Sequence, residues 1–311
     1  MIRCCSSLVP SPALSPPSIH CSSSDAAPRF KISLPSLSYS SETPELNLLR
    51  VSKRSCFCSC GRRHFIELAA ATALLPIFPT NASDSPDYTA TLKKIRPPRP
   101  DWYEEFYASV LNTSMKAYEA EIAGYKSELF ANLKGNVEKV LEIGIGTGPN
   151  LRYYAKNNGM QVFGVDPNGK MEKYARASAL EAGLPLPNFK FIQAVGEALP
   201  LADASVDAIV GTLVLCSVTD VNMTLKEVKR VLKPGGIYLF VEHVAAKDGS
   251  SLRFIQNVLD PLQQTLSDGC HLTRETGKLV SEAGFSNLNL SMAFLSNASL
   301  VNPHLFGIAS K

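Results

Sequence analysis

The stretch "VLEIGIGTGPN", residues 140–150, reads as an apolar strand that runs into a glycine-rich turn. Glycines at 144, 146 and 148 leave backbone amides uncovered, as in loops that bind phosphate groups. The spacing from Glu142 is E-x-G-x-G-x-G, which differs from the G-x-G-x-x-G of dinucleotide-binding folds because a proline takes the place of the third glycine. The stretch therefore predicts a nucleotide-like ligand at the end of a first strand, without identifying that ligand.

Strand and helix signals alternate from this turn to the C-terminus. Apolar runs fall at 137–143, 161–165, 189–193, 206–214, 236–244, 288–295 and 304–310. Helix-like segments lie between most of them, at 149–158, 169–183, 220–232 and 272–283. This alternation predicts an α/β fold with a seven-stranded, mostly parallel sheet and helices on both faces. The last two runs are joined by a short turn, which predicts one antiparallel strand at the C-terminus.

The region before the first strand divides into two parts. Residues 83–100 read as a polar linker, because "RPPRP" at its end is too proline-rich for a helix. Residues 101–133 have a helical pattern, with an apolar face that predicts packing on the domain. The residues on that face are Tyr118, Ile122, Tyr125 and Leu129. The domain assignment is therefore a linker and N-terminal helix at 83–117, followed by the main domain at 118–311.

The first 60 residues differ from the rest in composition. They are rich in Ser and Pro, contain scattered Arg and Lys, and have very few acids. Such a segment cannot bury enough apolar surface to fold, and its composition is typical of a plastid transit peptide. The alternative is a disordered tail that carries no targeting information.

Residues 61–82 place a short apolar run after two arginines. Arg62 and Arg63 precede an apolar stretch that ends near small residues, which resembles a twin-arginine signal. Behind a transit peptide, this arrangement resembles the two-part signal of thylakoid-lumen proteins. The alternative is an uncleaved anchor on a membrane surface, since the run is too short to span a bilayer. We therefore expect a chloroplast protein, in the stroma or thylakoid, with the lumen left open.

Charge and cysteine content separate the leader from the body. Residues 1–82 contain eight Lys/Arg and four acidic residues, whereas residues 83–311 contain 23 Lys/Arg and 24 acidic residues. Because the body carries no basic excess, no nucleic-acid partner is expected. Six of the eight cysteines lie in the leader, and their spacing lacks the second pair of a metal site, so no metal site is predicted.

Asp166 ends the second predicted strand, in the segment "VFGVDPN". In a nucleotide-binding βαβ unit, an acid at this distance from the glycine turn accepts hydrogen bonds from ribose hydroxyls. The alternative is an aspartate that caps the next helix. The glycine turn at the expected distance favours ribose binding.

Longer motifs follow in order: "LEIGIGTGPN", "GVDPN", "GEALPLADASVDAIV" and "EVKRVLKPGGIYLFVEH". Together they resemble class I S-adenosylmethionine-dependent methyltransferases with a methyltransferase type 11 domain, which have a Rossmann-like sheet. More narrowly, "TLVLCSV", "FVEHVAA", "DGCHLTRET" and "NPHLFGIASK" are similar to the methyltransferase-like seven family of thiol S-methyltransferases, here in a plant plastid form. The resemblance runs from about residue 118 to the C-terminus. It implies S-adenosylmethionine as the cofactor.

The resemblance also implies which residues contact the cofactor. The glycine turn would close on the methionine part, and Glu142 would orient that turn or meet the amino group. Relatives often have Gly-Asp after the third strand, where this chain has Ala194-Val195, so backbone groups would replace the side-chain contact to adenine. The expected contacts are Glu142, Gly144, Gly146, Gly148, Asp166, Pro167, Asn168, Val195, Gly196, Glu197, Thr212, Leu213 and Leu215.

His243 is the candidate catalytic base or orienter of the acceptor. It follows the fifth predicted strand, at the edge where sheet enzymes of this type hold their substrates. A structural, hydrogen-bonded histidine is the alternative. Glu242 beside it would point to the opposite face if the strand continues.

The loop 267–275 is the second candidate for the acceptor pocket. Asp268, His271 and Arg274 are its polar residues, and an ion pair within the fold is the other role open to Arg274. Cys216 and Cys270, the two cysteines of the body, are predicted to be small buried residues. A disulfide between them stays open at this stage.

Methyl transfer from a sulfonium needs the nucleophile, methyl group and leaving sulfur in line. A thiol acceptor needs little further help, since its pKa of about 8.5 supplies some thiolate at neutral pH. We expect a monomeric methyltransferase that acts on a small apolar molecule, with an alkyl thiol favoured by the resemblance. The alternatives are C- or O-methylation of a prenylated quinone or phenol, and a cofactor-binding module without turnover. Peripheral contact with a thylakoid or plastid membrane is left open.

Overall fold

The structure is a computed structural model that describes residues 88–135, 137–156 and 159–311. The expected transit peptide at 1–60 and the twin-arginine segment at 61–82 lie outside the described residues. Within the described part, none of the helices is long and apolar enough to cross a bilayer.

The fold is built around one sheet of seven strands. They are β1 (Lys139–Ile143), β2 (Gln161–Asp166), β3 (Phe189–Gln193), β4 (Val206–Thr212), β5 (Leu232–His243), β6 (Asn287–Ala293) and β7 (His304–Ser310). Their order is β3-β2-β1-β4-β5-β7-β6, and the first five in this order pair in parallel. β7 lies antiparallel to both β5 and β6. The predicted mostly parallel sheet with one antiparallel C-terminal strand is confirmed.

Eight α-helices connect or flank these strands in the described ranges. They are α1 (Tyr88–Ile95), α2 (Asp101–Ser114), α3 (Lys116–Phe130), α4 (Leu151–Tyr154), α5 (Met171–Ala182), α6 (Val221–Val231), α7 (Ser251–Leu266) and α8 (Thr276–Glu282). Single 3₁₀ turns lie at Ala131–Leu133, Leu186–Asn188 and Ser299–Val301.

The helices cover both faces of the sheet, because side chains of a strand point alternately to opposite faces. In β1, Val140 packs with residues of α3, α4 and α5, whereas Leu141 packs with residues of α6 and α8. Each face therefore has its own apolar core, and the expected layered α/β architecture is confirmed.

Two expectations for the N-terminal region are wrong. Residues 83–100 were expected to be non-helical, but α1 occupies 88–95. Proline disfavours helix at its own position and the one before it, and the prolines of "RPPRP" begin at Pro97, after the end of α1. The single helix expected over 101–133 is divided in two at Met115, where α2 ends and α3 begins.

α7 is a helix that the sequence pattern did not predict. Asp260-Pro261 suggests a turn, yet both residues lie inside α7. Ser250 caps the helix by accepting a hydrogen bond from the amide of Arg253 at 3.2 Å. The Asp260 carboxylate reaches out of the helix and accepts the amide of Leu272 at 2.5 Å, so it fixes the loop that follows α7.

Candidate active site

A cavity of about 680 Å³ opens at the carboxyl ends of β1, β2, β4 and β5. The strand order reverses direction between β1 and β4, which is where open α/β sheets bind ligands. The volume is within the range of small-molecule sites, about 300–1,000 Å³. α2, the start of α3 and the end of α7 supply its other walls.

The glycine turn forms the floor of this cavity. Gly144 and Gly146 line it with φ values of +63° and +52°, which side chains rarely adopt. A Cβ on Gly144 would lie 2.5 Å from Cγ2 of Val214, so this position has no room for a side chain. Gly148, predicted to face the ligand, instead packs on Leu151 and on Ala175 of α5.

Glu142 is a buried acid beside the turn and lines the cavity. Its carboxylate accepts hydrogen bonds from the hydroxyl of Tyr154 at 2.7 Å and from the side-chain amide of Asn150 at 2.9 Å. Burial raises the pKa of Glu142 to about 7. Both of its hydrogen-bond partners are side chains that follow the glycine turn.

A second buried charge supports this arrangement from α3. Lys126 donates to Glu119 at 2.8 Å and to the Asn150 side-chain oxygen at 2.7 Å. Because Asn150 also donates to Glu142, the network connects α3 to the glycine turn. These partners lie far apart in the sequence, and no spacing signal indicated them.

Asp166 lies at the end of β2 and lines the cavity beside the turn. Its two carboxylate oxygens accept the amides of Gly146 and Asn168, each at 2.9 Å. Burial raises the pKa of Asp166 to about 6. Pro167 also lines the cavity, whereas the Asn168 side chain turns away and donates to the Glu104 carbonyl at 2.9 Å.

The segment after β3 also lines the cavity. Val195, Gly196 and Glu197 all contribute to its wall. The Glu197 carboxylate accepts the amide of Thr219 at 2.7 Å, so it holds the loop after β4 as well as facing the cavity.

The loop after β4 is held by Glu242. Its buried carboxylate accepts the amides of Val214 at 3.0 Å, Leu215 at 2.9 Å and Cys216 at 3.3 Å. Burial raises the pKa of Glu242 to about 7. Thr212 and Leu213 line the cavity, whereas Leu215, predicted as a contact, is fully buried and is not among the lining residues.

The N-terminal segment covers the cavity through charged residues that the sequence did not single out. Arg96 and Arg99 each contact the carboxylate of Asp268 at 2.7 Å. All three line the cavity, so these ion pairs connect the segment before α2 with the loop after α7. Asp268 is therefore at the cavity as predicted, but paired.

His243 lies at the end of β5 and lines the cavity between two cysteines. Its Nε2 is 2.9 Å from Sγ of Cys270, and its buried Nδ1 has no hydrogen-bond partner among the described residues. Cys216 and Cys270 are both free and buried, as predicted, and both line the cavity. Hydrogen bonds from Cys216 and His243 lower the pKa of the Cys270 thiol.

The other two residues of the predicted acceptor pocket lie elsewhere. His271 contacts the carboxylate of Asp260 at 3.5 Å, on the α7 side of the loop. Arg274 donates to the carbonyls of Leu215 and Val218 at 2.6 and 2.8 Å. Arg274 therefore stabilises the loop after β4, a third role beside the pocket and ion-pair roles that the sequence suggested.

The sheet order, the glycine turn and the acid ending β2 define a class I methyltransferase site. In agreement, the methyltransferase domain family Methyltransf_11 matches residues 141–240. The human thiol S-methyltransferase TMT1A is 44% identical over 202 residues, which cover 62% of this chain and 81% of that protein. The rat thiol S-methyltransferase TMT1B is 41% identical over 217 residues, which cover 68% of this chain and 86% of that protein. The chain belongs to the methyltransferase family of these proteins.

Solved structures agree on the fold. The methyltransferase bound to its Trm112 activator in a Haloferax volcanii complex has a TM-score of 0.52 and 18% identity, and the match covers 68% of this chain and 98% of that chain. A Bacillus halodurans C-125 methyltransferase has a TM-score of 0.50 and 17% identity, and the match covers 60% of this chain and 99% of that chain. The Rossmann-like fold is thus shared.

The chain is an S-adenosylmethionine-dependent methyltransferase, and its residues fit that cofactor. The backbone of Gly144 and Gly146 lines the cavity without side chains, which leaves the turn open to the methionine part. A carboxylate has about four acceptor positions, and Asp166 uses two of them on backbone amides, which leaves capacity for ribose hydroxyls. The carboxylate of Glu142 provides a negative group for the cationic methionine part.

Proposed function

We propose that this enzyme transfers the methyl group to the sulfur of a small, apolar thiol. The supporting observation is a set of apolar residues in the cavity wall, which also contains a buried cluster of two thiols and one imidazole. The apolar residues are Val110, Leu111, Met115, Leu266 and Val301. The names of the relatives TMT1A and TMT1B, both thiol S-methyltransferases, support the same acceptor class.

The side chains described above would perform the reaction mainly by alignment. S-adenosylmethionine, when bound, supplies a methyl group on a positively charged sulfur. Asp166 and the glycine turn would hold the nucleoside, and Glu142 would hold the amino group, with its orientation fixed by Tyr154 and Asn150. The ion pairs of Asp268 with Arg96 and Arg99 would keep water out while the acceptor sulfur approaches.

Activity with labelled cofactor tests this proposal directly. The full-length chain is incubated with radiolabelled S-adenosylmethionine and either an alkyl thiol, the matching alcohol or a prenylquinol. We expect labelled thioether from the thiol and no labelled product from the alcohol. Label only in the quinol would remove the thiol proposal.

A prenylated quinol is the second candidate, because two exposed apolar stripes continue into the cavity wall. Trp102, Phe106 and Val110 form an exposed stripe on α2, and Phe254, Val258, Leu262 and Leu266 form another on α7. Val110 and Leu266 belong to the cavity wall as well as to these stripes. An acceptor dissolved in a lipid phase would thus reach the site. The UbiE C-methyltransferase of Klebsiella pneumoniae, 31% identical over 48% of this chain and 56% of that protein, is a distant relative with a quinone-pathway name.

The same two stripes support a proposal of peripheral membrane contact. Exposed apolar patches that continue into a cavity mark interaction surfaces, and apolar helix faces partition into the bilayer interface. The double variant F254D/L262D should reduce flotation with plastid-lipid vesicles. L180D changes an equally exposed leucine on α5 and is the matched control. Equal flotation of both variants would contradict this surface.

We further propose a chloroplast location, from the composition of residues 1–82. A fluorescent reporter fused to residues 1–90 tests it, and protease protection of isolated thylakoids distinguishes the lumen from the stroma and from the outer membrane surface. A cytosolic reporter would refute the proposal.

A further inference from the structure

Three side chains that could bind a metal ion lie close together in the cavity wall. One ring nitrogen of His243 and the Sγ atoms of Cys216 and Cys270 all lie within 4.8 Å of one another. The three side chains are almost fully buried, yet each contributes to the cavity wall. The cluster therefore combines shielding from bulk water with one open side.

Different elements hold the three residues in place. His243 ends β5, Cys216 lies in the loop after β4, and Cys270 lies in the loop after α7. The amide of His271 donates to the Cys216 carbonyl at 2.9 Å, which joins the two cysteine-bearing loops. Asp268 and Gly269, just before Cys270, have positive φ values of 51° and 87°. This backbone turns the thiol of Cys270 toward His243.

Hydrogen bonding leaves part of the cluster unsatisfied. The Nε2 atom of His243 contacts Cys270, but Nδ1 is buried without a partner among the described residues. A buried polar atom without a partner costs about 1–3 kcal/mol. Nε2, which faces Cys270, is the ring nitrogen that could bind a metal, so the unpaired Nδ1 is a separate cost of holding the ring at this place.

The donor set fits zinc. Zinc takes thiolate sulfur at about 2.3 Å and imidazole nitrogen at about 2.0–2.1 Å in a tetrahedron, which places donor atoms about 3.6–3.8 Å apart. The present separations, from 2.9 Å to at most 4.8 Å, lie on either side of those values, so shifts of about 1 Å or less would suffice. Two cysteines and one histidine leave the fourth position free, as in catalytic zinc sites.

We propose that Cys216, His243 and Cys270 bind a zinc ion whose open position, facing the cavity, takes the sulfur of the thiol acceptor. This assignment of the fourth ligand rests on the proposed thiol methyltransferase function. The three-residue site stands on its own geometry. The sequence had predicted no metal site, because the ligands come from separate segments.

Zinc would solve the main chemical problem of a thiol acceptor in a dry cavity, which is to keep its sulfur ionised. The acceptor thiol replaces a zinc-bound hydroxide, which takes the thiol proton and leaves as water. A lone pair of the zinc-bound sulfur then forms the new bond to the methyl carbon. The electron pair of the breaking bond stays on the cofactor sulfur, which leaves as a neutral thioether, and zinc remains divalent throughout.

The test measures metal content on the full-length chain in a background where the six other cysteines are serine, so that only the cluster supplies thiols. Those six are Cys4, Cys5, Cys21, Cys56, Cys58 and Cys60. We expect one zinc ion per chain after purification without chelator. C216S and C270S should each lower zinc affinity by about 10- to 100-fold or more. That range is the cost of losing a residue that supports a metal ligand, and these two residues would be ligands themselves. H271Q, which changes a neighbouring histidine outside the cluster, should retain zinc.

Cobalt substitution gives a readout of the fourth position. Co²⁺ in the site should show sulfur-to-cobalt absorption and the strong visible bands of a tetrahedral ion. An alkyl thiol should change those bands, and the matching alcohol should not. Calorimetric binding of S-adenosylmethionine to C270S confirms that this variant is folded.

Each outcome separates the two proposals. Zinc at one equivalent with a thiol-dependent cobalt spectrum supports the site and its ligand. Zinc with no response to thiols overturns the assignment of the fourth ligand. A chain that methylates thiols with both cysteines reduced and no metal bound overturns the zinc site but leaves the proposed function. A Cys216–Cys270 disulfide, or bound copper in place of zinc, also overturns it.

Discussion

Glu142 is a buried acid whose ionised form lowers the free energy of unfolding of the cofactor-free chain. Replacing Glu142 with Gln measures that loss of stability. Both partners of Glu142 can accept the change. The Gln oxygen can accept from Asn150, and its amide can donate to the Tyr154 hydroxyl, because a hydroxyl both donates and accepts. E142Q therefore removes a buried charge and keeps the hydrogen bonds.

The magnitude follows from the raised pKa of Glu142. Burial moves it from 4.5 to about 7, and each pKa unit corresponds to about 1.36 kcal/mol. Because the folded pKa is above the unfolded one, the folded wild type loses stability as pH rises from 4.5 to 7, whereas E142Q does not. The stability advantage of E142Q should be close to zero at low pH, grow by about 1.4 kcal/mol per pH unit, and level off at about 3 kcal/mol.

Urea unfolding of the cofactor-free chain between pH 4.5 and 8.5 measures this difference curve. E172Q, the same change on the solvent-facing side of α5, controls for the loss of one negative charge. A flat difference curve, or an E142Q variant less stable than wild type at pH 8, would refute the reasoning. It would mean that Lys126 and the hydrogen bonds offset the burial of the carboxylate.

Three further predictions concern the same region. G144A should abolish detectable cofactor binding in calorimetry, because its Cβ would lie 2.5 Å from Val214. The control G183A, at a glycine with a similar φ and open space around it, should bind the cofactor normally. Equal binding by both variants would contradict the close packing at Gly144. D166N should weaken S-adenosylmethionine binding about 10- to 100-fold, the value of one charge-assisted hydrogen bond; an unchanged Kd would remove the ribose role. R274M should lower stability by about 2–4 kcal/mol in urea unfolding, because two partly buried carbonyls lose their donor. Unchanged stability would show that water replaces the guanidinium.

The sheet could be predicted from the sequence because its signals are local. The strands β1, β2 and β4 are short apolar runs with turn residues on either side, and periodicity identifies such runs directly. Because the prediction depends on local signals, it also missed α7. The proline and the preceding aspartate in the middle of this helix are residues typical of turns. In the folded chain, Asp260 serves the loop after the helix, which is a tertiary contact.

The site could be predicted only in part from the sequence, because some of its residues are brought together by the tertiary fold. Gly144 and Asp166 are adjacent to strand ends, so their place at the sheet edge follows from topology. Arg96, Cys216 and Cys270 reach the cavity from segments distant in the sequence, and Lys126 reaches Asn150 beneath it in the same way. Nothing in their spacing shows that they meet. Gly148 and Asn168 show the converse, since both lie within recognisable motifs but serve the packing of α4, α5 and α2.

Three buried carboxylates at one sheet edge explain how stability and function are connected in this enzyme. Burial raises the pKa of Glu142, Asp166 and Glu242 alike, so each ionised form costs free energy in the folded chain at neutral pH. Glu242 recovers part of that cost internally by accepting three backbone amides. Glu142 and Asp166 have only two donors each and face the cavity, so a cation and ribose hydroxyls from the cofactor would complete them. Cofactor binding should therefore stabilise the fold more at pH 8 than at pH 5, and thermal unfolding with and without S-adenosylmethionine at the two pH values would show an equal shift if this reasoning is wrong.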